Sequence, residues 1–432
     1  MKLTGWGRYP EVEARTHSFE TLGQLKRLLQ EPEDFIIHGM GRSYGDSALA
    51  ERVLFSRRFN KILDFDEAVG VVTCESGVTL EELIQVFLPR GWFLGVAPGT
   101  KQVTVGGAVA ADVHGKNHHC HGCISEWVVS LDLLLPDGRV VRTDATEEPE
   151  LFRATCGGMG LTGVILNVAL RLAPIHSASM RETVIRCPNL EEAFRESEAH
   201  REATYSVAWI DCLARGEELG RSLLMLGEHA EPGPLTPTPP RTLTIPFNLP
   251  AFTLNRASIS LFNALYYRRP PDRVEGRLTP LEEFFFPLDR IRQWNRLYGR
   301  RGFTQYQFVL PRESSFAGVR AVLTRAADSG LGSFLGVLKL MGPANANLLS
   351  FPREGYTLAL DFKITDRLFP LLDELDRIVL DHGGRLYLAK DMRLTAEVFR
   401  RMYPAWEEFM QLRERYGMAA KFNSRQSRRL GV

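Results

Sequence analysis

Glycine and alanine crowd into one stretch of the chain, in a pattern suited to binding a phosphate-bearing cofactor. Residues 98–117 read PGTKQVTVGGAVAADVHGKN and hold four glycines and three alanines. Glycine has no Cβ, so a ligand can approach its backbone closely, and exposed N–H groups of such loops bind anions. Glycine-rich segments also lie at residues 38–46 (HGMGRSYGD) and 157–163 (GGMGLTG). The three segments predict an extended cofactor that carries phosphate groups.

Three polar side chains in apolar or glycine-rich surroundings are candidate functional residues. His114 lies inside the stretch 98–117, Lys339 follows Gly-Val-Leu, and Lys390 follows Tyr-Leu-Ala. A lone lysine is usually solvated and a lone histidine is usually structural, so these residues become candidates only beside a cofactor.

Two motifs suggest other cofactors, and neither fits its context. Gly158-x-Gly160-x-x-Gly163 matches the dinucleotide pattern, which needs a strand before the glycines and a helix after them. Here residues 147–155 predict a helix and residues 164–172 a strand, so a nicotinamide cofactor is disfavoured. The run HHCHGC at 118–123 offers zinc ligands, but neighbouring side chains rarely converge on one tetrahedron. We predict a loop at the edge of the cofactor there, and no metal.

The predicted elements that must position these residues change character after Pro174. Before it, a helix at 20–30, a strand at 35–37, a capping box from Thr79 to Glu82 and a strand at 128–135 surround the glycine segments. After it, longer strands and helices alternate, with strands at 205–210, 222–226, 303–310 and 355–362 and helices at 315–329 and 366–382.

Bulk composition excludes several classes of protein. The 432 residues suggest two domains, and 53 basic against 52 acidic residues give no support for nucleic-acid binding. The N-terminus lacks an apolar signal core, and no apolar run approaches the length of a membrane span, so we expect a cytoplasmic protein. Six scattered cysteines are typical of reduced thiols.

Residues 242–267 stand out because they contain no acidic residue. The segment is rich in Phe, Leu, Ile and Tyr, and four arginines lie in or beside it: Arg241, Arg256, Arg268 and Arg269. It is either a surface that faces lipid headgroups, in peripheral contact with a membrane, or a core helix with its hairpin.

Several segments together resemble the vanillyl-alcohol oxidase (p-cresol methylhydroxylase) type of FAD-dependent oxidoreductase. They are residues 3–8 (LTGWGR), 39–46, 98–119, 161–163 (LTG), 305–308 (QYQF), 339–343 (KLMGP), 349–352 (LSFP) and 388–393 (LAKDMR). The resemblance implies an α+β fold with a discontinuous FAD-binding domain, residues 1–175 and 387–432. A substrate-binding domain of antiparallel sheet, residues 176–386, would lie between them.

The resemblance also implies which residues bind FAD. The pyrophosphate would rest on residues 39–43 and on a turn at 104–107, and the flavin would lie against residues 110–117 and 163–164. The expected set is Gly39, Met40, Gly41, Arg42, Ser43, Tyr44, Pro98, Gly99, Thr104, Val105, Gly106, Gly107, Ala110, His114, Gly115, Asn117, Gly163 and Val164. Relatives that tether the flavin covalently carry Gly-x-Gly-His-Ser, whereas Arg42 replaces that histidine here, so we predict a non-covalent FAD.

Alcohol oxidation needs a hydride acceptor, the flavin N5, and a base for the hydroxyl proton. The resemblance places Lys390, Tyr44 and His114 beside the reacting centre, with Lys390 positioning or deprotonating the hydroxyl. Gln305, Gln307 and Lys339 would bind the sugar or its phosphate. Three further pocket positions depart from the family, which has Asn, Cys and an aromatic hydroxyl where this chain has Thr357, Ala359 and Phe285.

The implied function is oxidation of a secondary sugar hydroxyl to a ketone. The leading substrate is a polyprenylphosphoryl-β-D-ribose oxidised at its 2-hydroxyl, with a short-chain reductase partner completing a 2-epimerisation in cell-wall biosynthesis. Two alternatives stay open. One is a soluble polyol or aldonolactone oxidase on the same scaffold; the other is a flavin- or zinc-binding regulatory protein without turnover.

Overall fold

The computed structural model describes residues 1–236, 242–250, 252–332 and 334–432, which form an α+β fold of antiparallel sheets and packed helices. The strands are β1 (Lys2–Thr4), β2 (Glu11–Glu13), β3 (Arg15–Ser18), β4 (Ile36–His38), β5 (Arg52–Phe55), β6 (Ile62–Asp66), β7 (Val71–Glu75), β8 (Trp92–Leu94), β9 (Val128–Leu134), β10 (Val140–Thr143), β11 (Val164–Pro174), β12 (Ser179–Cys187), β13 (Tyr205–Ile210), β14 (Ser222–His229), β15 (Leu243–Thr244), β16 (Arg273–Pro280), β17 (Ile291–Arg292), β18 (Phe303–Pro311), β19 (Gly336–Met341), β20 (Gly355–Lys363) and β21 (Arg385–Leu386).

The helices are α1 (Leu22–Leu29), α2 (Leu80–Phe87), α3 (Val105–Ala110), α4 (His118–His121), α5 (Pro149–Thr155), α6 (Leu190–Ala199), α7 (Arg256–Arg268), α8 (Leu281–Phe285), α9 (Arg312–Ser329), α10 (Leu368–Asp381), α11 (Ala396–Met402), α12 (Trp406–Arg415) and α13 (Arg425–Leu430).

Two antiparallel sheets dominate the fold. One has the strand order β10-β9-β11-β7-β6, with β8 pairing to the far end of β11. The other has the order β16-β12-β14-β13-β19-β20-β18-β21. Nearly every residue of β13 and β20 is buried, as expected for central strands covered on both faces. A parallel sheet, β3-β5-β4, leads into the first glycine segment.

The C-terminal residues return to the first part of the chain. Phe422 bridges to Phe35, the Asn423 N–H donates to the Phe35 carbonyl (3.1 Å), and the Arg425 N–H donates to the Leu49 carbonyl (2.7 Å). The fully buried Arg413 donates to the carbonyls of Leu161 and Phe422. The two ends of the sequence therefore share one packed region.

Most predicted elements are confirmed within a few residues, including the capping box of Thr79 and Glu82 at the start of α2. Helix α5 precedes residues 157–163 and strand β11 follows them, the reverse of the order that dinucleotide binding requires.

Two predictions were wrong in detail. Residues 104–107 are not a turn but the start of helix α3, because Thr104 caps it by accepting a hydrogen bond from the Gly107 N–H. The predicted loop at 118–123 contains the short helix α4. Its histidines bond to other elements: the Gly342 N–H donates to His118 Nδ1, and His119 Nε2 pairs with the Ala203 carbonyl. Among the described residues no group of three or more His, Cys, Asp or Glu side chains is arranged to hold a metal ion.

The acid-free segment 242–267 is not a core helix with its own hairpin. Strand β15 pairs in parallel with β17, and helix α7 is buried only along one side, at Ile259 and Asn263. Arg241 lies outside the described residues. Across the described part of the chain, no helix combines the length and the apolar character needed to cross a bilayer.

Candidate active site

Backbone N–H groups without partners line the first glycine segment, directly after β4. The N–H groups from Gly39 to Ser43 donate no hydrogen bond to any described residue. Gly41 adopts φ +62°, which turns the chain sharply, and a Cβ on Gly39 would lie 2.3 Å from Thr104 Oγ1. Unsatisfied donors of this kind fit an anionic group such as a pyrophosphate.

Arg42 adds positive charge to the same segment. Its Nε donates to the Gln102 carbonyl (3.1 Å), and its guanidinium lies over the Trp6 ring, 4.0 Å from the ring centroid. Neither terminal amino group of Arg42 has a partner in the described structure. Stacking and the single anchored Nε hold the fork in place, and its two free ends can bind a phosphate or a carboxylate.

Helix α3 contributes close packing rather than free donors. The Gly106 N–H donates to the Ser76 carbonyl (2.9 Å), and the Gly107 N–H is taken by Thr104 Oγ1. A Cβ on Gly106 would lie 2.7 Å from the Ser76 Cβ, so glycine is needed there for packing. Gly163, at φ +149°, is likewise required against Leu133 at the start of β11. By contrast, a Cβ on Gly99 would meet no described atom within 4 Å.

The segment after α3 carries two buried polar atoms that lack partners. The Gln307 side-chain amide donates to His114 Nε2 (3.0 Å), so the proton of the imidazole is on Nδ1, which is buried and unpaired. Asn117 donates to the Gly95 carbonyl (2.8 Å), and its Oδ1 is buried and unpaired too. An unmade buried hydrogen bond costs about 1–3 kcal/mol. A flavin edge, which has both donors and acceptors, fits these two atoms.

His114 is held as a neutral side chain. Its ring packs against Phe351 (5.4 Å between centroids) and Tyr387 (5.2 Å). Burial, followed by electrostatic interactions with Lys339, His118 and Lys390, holds the pKa of His114 well below its usual value. The residue can therefore donate or accept a hydrogen bond without carrying charge.

One face of the large sheet collects the residues predicted to bind substrate. Side chains two apart on a strand share a face, which joins Gln305 to Gln307 on β18. The register sets Gln305 opposite Asp361, Gln307 opposite Ala359, and Lys339 opposite Thr357. The active-site floor, as we call it, comprises these six residues and Lys390: Gln305, Gln307, Lys339, Thr357, Ala359, Asp361 and Lys390.

Lys390 follows β21 and lies at one side of the floor. Its Nζ lies 4.0 Å from the centroid of the Tyr44 ring and donates no hydrogen bond to a described residue. Burial lowers the pKa of Lys390 to about 7; Asp361 acts to raise it, and Lys339 lowers it further. Tyr44 is itself buried, and its backbone N–H donates to the Ala389 carbonyl (3.0 Å).

Asp361 is a candidate site residue that the sequence motifs did not predict. Its oxygens accept hydrogen bonds from Gln305 Nε2 (2.8 Å) and from the Tyr298 hydroxyl (3.1 Å). Burial raises the pKa of Asp361 to about 7, although both hydrogen bonds and Lys390 act to lower it. A carboxylate within the otherwise apolar run Leu358–Phe362 was a usable signal, because buried acids are rare without a partner.

Two lysines besides Lys390 carry buried amines in this region: Lys339, which belongs to the floor, and Lys116, which does not. Lys339 Nζ lies 3.5 Å from the Gly115 carbonyl, and burial lowers its pKa to about 8. Lys116 donates to the Phe284 carbonyl, and burial lowers its pKa to about 7. Phe285, predicted in the substrate pocket, lies beyond Lys116 in an aromatic cluster with Tyr205 and Phe93.

Comparison with known proteins agrees with this geometry. Residues 17–144 match the FAD binding domain family. The chain is 37% identical over 448 residues to decaprenylphosphoryl-β-D-ribose oxidase of Mycolicibacterium smegmatis, covering 99% of this chain and 97% of that protein. It is 24% identical over 187 residues to D-arabinono-1,4-lactone oxidase of Kluyveromyces lactis, covering 42% and 35% of the two chains. It is also 27% identical over 180 residues to L-gulonolactone oxidase of Bos taurus, covering 40% and 41%.

Together these observations define an FAD-dependent oxidoreductase. The chain belongs to the vanillyl-alcohol oxidase (p-cresol methylhydroxylase) type of that class, as its sequence motifs predicted.

Proposed function

We propose that the protein oxidises a secondary sugar hydroxyl to a ketone, with Lys390 as the base. The observation that carries the proposal is the Lys390 amine, which lies buried over Tyr44 beside Asp361 and has no described acceptor. With a pKa of about 7, a large fraction of this amine is neutral at physiological pH and can take the hydroxyl proton. Bound FAD supplies the acceptor for the hydride that leaves the carbon bearing this hydroxyl.

The other floor residues position the sugar. The side-chain amides of Gln305 and Gln307 donate hydrogen bonds to Asp361 and His114, respectively. These bonds restrict the orientation of both amides. Preorganised hydrogen bonds hold an alcohol in a reactive orientation and contribute to rate through geometry alone. Tyr44 closes the apolar side of the Lys390 amine, which keeps water away from it.

The substrate that we propose is a polyprenylphosphoryl-β-D-ribose, oxidised at its 2-hydroxyl. The amines of Lys116 and Lys339 are buried in this region, and burial raises the pKa of Asp361, the one carboxylate of the floor, to about 7, so the pocket favours an anionic ligand such as a phosphodiester. The near full-length similarity to decaprenylphosphoryl-β-D-ribose oxidase supports the same choice. A 2-keto product requires a reductase to complete an epimerisation, and we propose a short-chain reductase as that partner.

We propose that FAD is held without a covalent bond. The relatives with a tether carry histidine in the first glycine segment, where this chain has Arg42, and a guanidinium cannot form that bond. Denaturation in acid should release the entire flavin into the supernatant. Flavin that stays with the precipitated protein would contradict this assignment.

We also propose two domains. Residues 1–175 and 387–432 would bind FAD, in keeping with the hydrogen bonds between Asn423 and Phe35 and between Arg425 and Leu49. Residues 176–386, which contain β12–β20, would bind substrate.

An aldonolactone or polyol oxidase is the second candidate, favoured by the similarity to lactone oxidases over about 40% of the chain. Anaerobic reduction of the bound flavin separates the two. We expect a polyprenylphosphoryl ribose to bleach the flavin absorbance rapidly, and xylitol or an aldonolactone to do so slowly. Rapid bleaching by the soluble compounds alone would replace the lipid-sugar proposal.

We propose that a lipid-linked substrate reaches the protein at the surface around α7. Along α7 the outward positions are Leu261, Phe262 and Leu265, which are 62%, 47% and 65% exposed, and Arg268 follows them. An exposed apolar stripe bordered by arginines fits the surface of an anionic bilayer. The Leu249 N–H donates to the Arg296 carbonyl (3.0 Å), which ties this segment to the residues around Trp294.

Sedimentation with vesicles tests this contact. We expect the enzyme to bind phosphatidylglycerol vesicles more tightly than phosphatidylcholine vesicles, and the double variant Leu261→Ser/Leu265→Ser to lose most of that binding. Leu63→Ser, an exposed leucine on β6, is the matched control and should bind like the wild type. Equal loss in both variants would argue against a specific docking side.

A further inference from the structure

The last helix of the chain reaches both loops that meet at Lys390. From α13, Arg429 Nη2 donates to Asp46 Oδ1 (2.7 Å) and to Asp391 Oδ2 (2.9 Å), and its Nε donates to Asp46 Oδ2 (3.3 Å). Asp46 belongs to the first glycine segment, and Asp391 directly follows Lys390. Both carboxylates are buried. One guanidinium therefore holds an acidic side chain from each loop.

Further contacts bring the backbones of the same two loops close together. The Gln426 side-chain amide, also on α13, donates to the Leu388 carbonyl (2.8 Å). A Cβ on Gly45 would lie 1.7 Å from the Asp391 carbonyl oxygen, so the backbones touch directly. The Asp391 Oδ1 accepts from the N–H groups of Arg393 and Leu394, which fixes the turn after Lys390.

We propose that Arg429 is a positioning residue: by joining Asp46 to Asp391, it fixes the Lys390 amine against the Tyr44 ring at the reacting centre. Without the guanidinium, two buried carboxylates would face each other with no cation between them, and the loops would separate. Asp391 is one residue from Lys390, so the separation would displace the amine. A displacement of 1 Å at a reacting group costs about 100-fold in rate. The catalytic consequence rests on the function proposed above.

The neighbouring Arg428 is a matched control. It lies on the same helix and also binds two carboxylates, Asp34 and Glu51, but these ion pairs are exposed and contact neither loop at Lys390. The experiment compares Arg429→Met, Arg429→Lys and Arg428→Met as FAD-loaded enzymes. It measures flavin content, melting temperature, the rate and KM of flavin reduction by polyprenylphosphoryl ribose, and the titration of Lys390 by NMR of 13Cε-lysine.

We expect Arg429→Met to keep its flavin, to lose about 100-fold in the reduction rate and to change KM by less than threefold. Its Lys390 titration should move to higher pH, because water and unpaired carboxylates both favour the charged amine. The groups that face Lys390, namely Asp361, Lys339 and Tyr44, are unchanged in all variants. Arg428→Met should match the wild type in rate and titration.

The proposal is overturned if Arg429→Met keeps a rate within twofold of the wild type, or if its Lys390 titration does not move. If Arg429→Met fails to fold, Arg429→Lys decides, because it keeps the charge and loses the fork: a tenfold lower rate supports the proposal and an unchanged rate overturns it. A wild-type enzyme that no sugar reduces would remove the proposed function, while the NMR titration would still test the position of Lys390.

Discussion

The active-site floor buries ionisable side chains, whereas the outward side of α7 exposes apolar side chains to solvent. On the floor, Asp361, Lys339 and Lys390 are removed from water, and burial moves the pKa of each toward neutrality. On α7, Leu261 and Leu265 remain in water, and the segment around them has no acid. Burying the ionisable groups of the floor costs stability, whereas the exposed leucines of α7 gain no comparable burial. The first region is thus suited to chemistry and the second to contact with another phase.

Replacing Lys390 should produce the largest loss of activity among the changes to these two regions. We expect Lys390→Met to lower the rate of substrate-driven flavin reduction by about a thousandfold, the loss typical of a general base, with flavin content unchanged. The same variant should be more stable than the wild type at pH 7, because a desolvated amine is replaced by an apolar side chain. Stopped-flow reduction and thermal melting measure both effects. Turnover retained by this variant would take the base role away from Lys390.

The pH dependence of the wild-type enzyme should follow the same amine. Lys390 must be neutral to accept a proton, and burial lowers its pKa to about 7. The reduction rate should therefore fall about tenfold for each pH unit below 7 and level off above it. Because the folded pKa lies below that of the unfolded chain, the same group makes folding more favourable as pH rises from 7 toward 10. A rate that is flat between pH 5 and 8 would contradict the base role, and a free energy of unfolding that does not rise between pH 7 and 10 would contradict the lowered pKa of Lys390.

Neutralising Asp361 should reduce activity less than replacing Lys390 does. Asp361 acts to raise the pKa of Lys390, so Asp361→Asn should move the acid limb of the rate profile to lower pH. It also disturbs the hydrogen bond from Gln305, and we expect a loss of about 10-fold to 30-fold in kcat/KM, at the lower end of the about 1.5–3 kcal/mol of a hydrogen bond to a charged group. Asp132→Asn, whose carboxylate accepts from Asn167 in the other sheet, is the control. An acid limb of the rate profile that moves to higher pH would contradict the effect of Asp361 on the pKa of Lys390.

The sequence was sufficient to predict candidates for the parts of this site that depend on local composition. The glycine segments, His114, Lys339 and Lys390 were identified from residue type and motif. Helix α3 was missed because two glycines make a poor helix, and its formation depends on the Thr104 cap and on packing against Ser76.

Roles that depend on distant pairing could not be assigned from the sequence. The role of Asp361 requires the β18–β20 register, which sets it opposite Gln305. The contact of Arg429 with Asp46 joins positions 383 residues apart. Neither pairing leaves a trace in local spacing, so only the folded chain reveals it.

Removing Arg42 should loosen the cofactor more than it slows the chemistry. Its two free amino ends lie beside the unpaired N–H groups of residues 39–43. We expect Arg42→Ala to weaken FAD binding about tenfold, the value of one charge-assisted contact, and to leave the rate of the FAD-saturated enzyme nearly unchanged. Fluorescence of released FAD during dilution measures the affinity. An unchanged affinity for FAD would indicate that the backbone N–H groups of residues 39–43 bind the anion without Arg42.

The smallest effect on folding should come from the α7 surface. Leu265→Ser removes an apolar side chain that is already 65% exposed, so the free energy of unfolding should change by less than about 0.5 kcal/mol. Leu358→Ala, which truncates a fully buried side chain on β20, should cost about 2–5 kcal/mol, since it leaves a cavity. Urea unfolding of the two variants measures the difference. A large cost for Leu265→Ser would mean that the α7 surface is held by the protein itself, and the contrast between a reactive interior and an outward-facing contact surface would lose its physical basis.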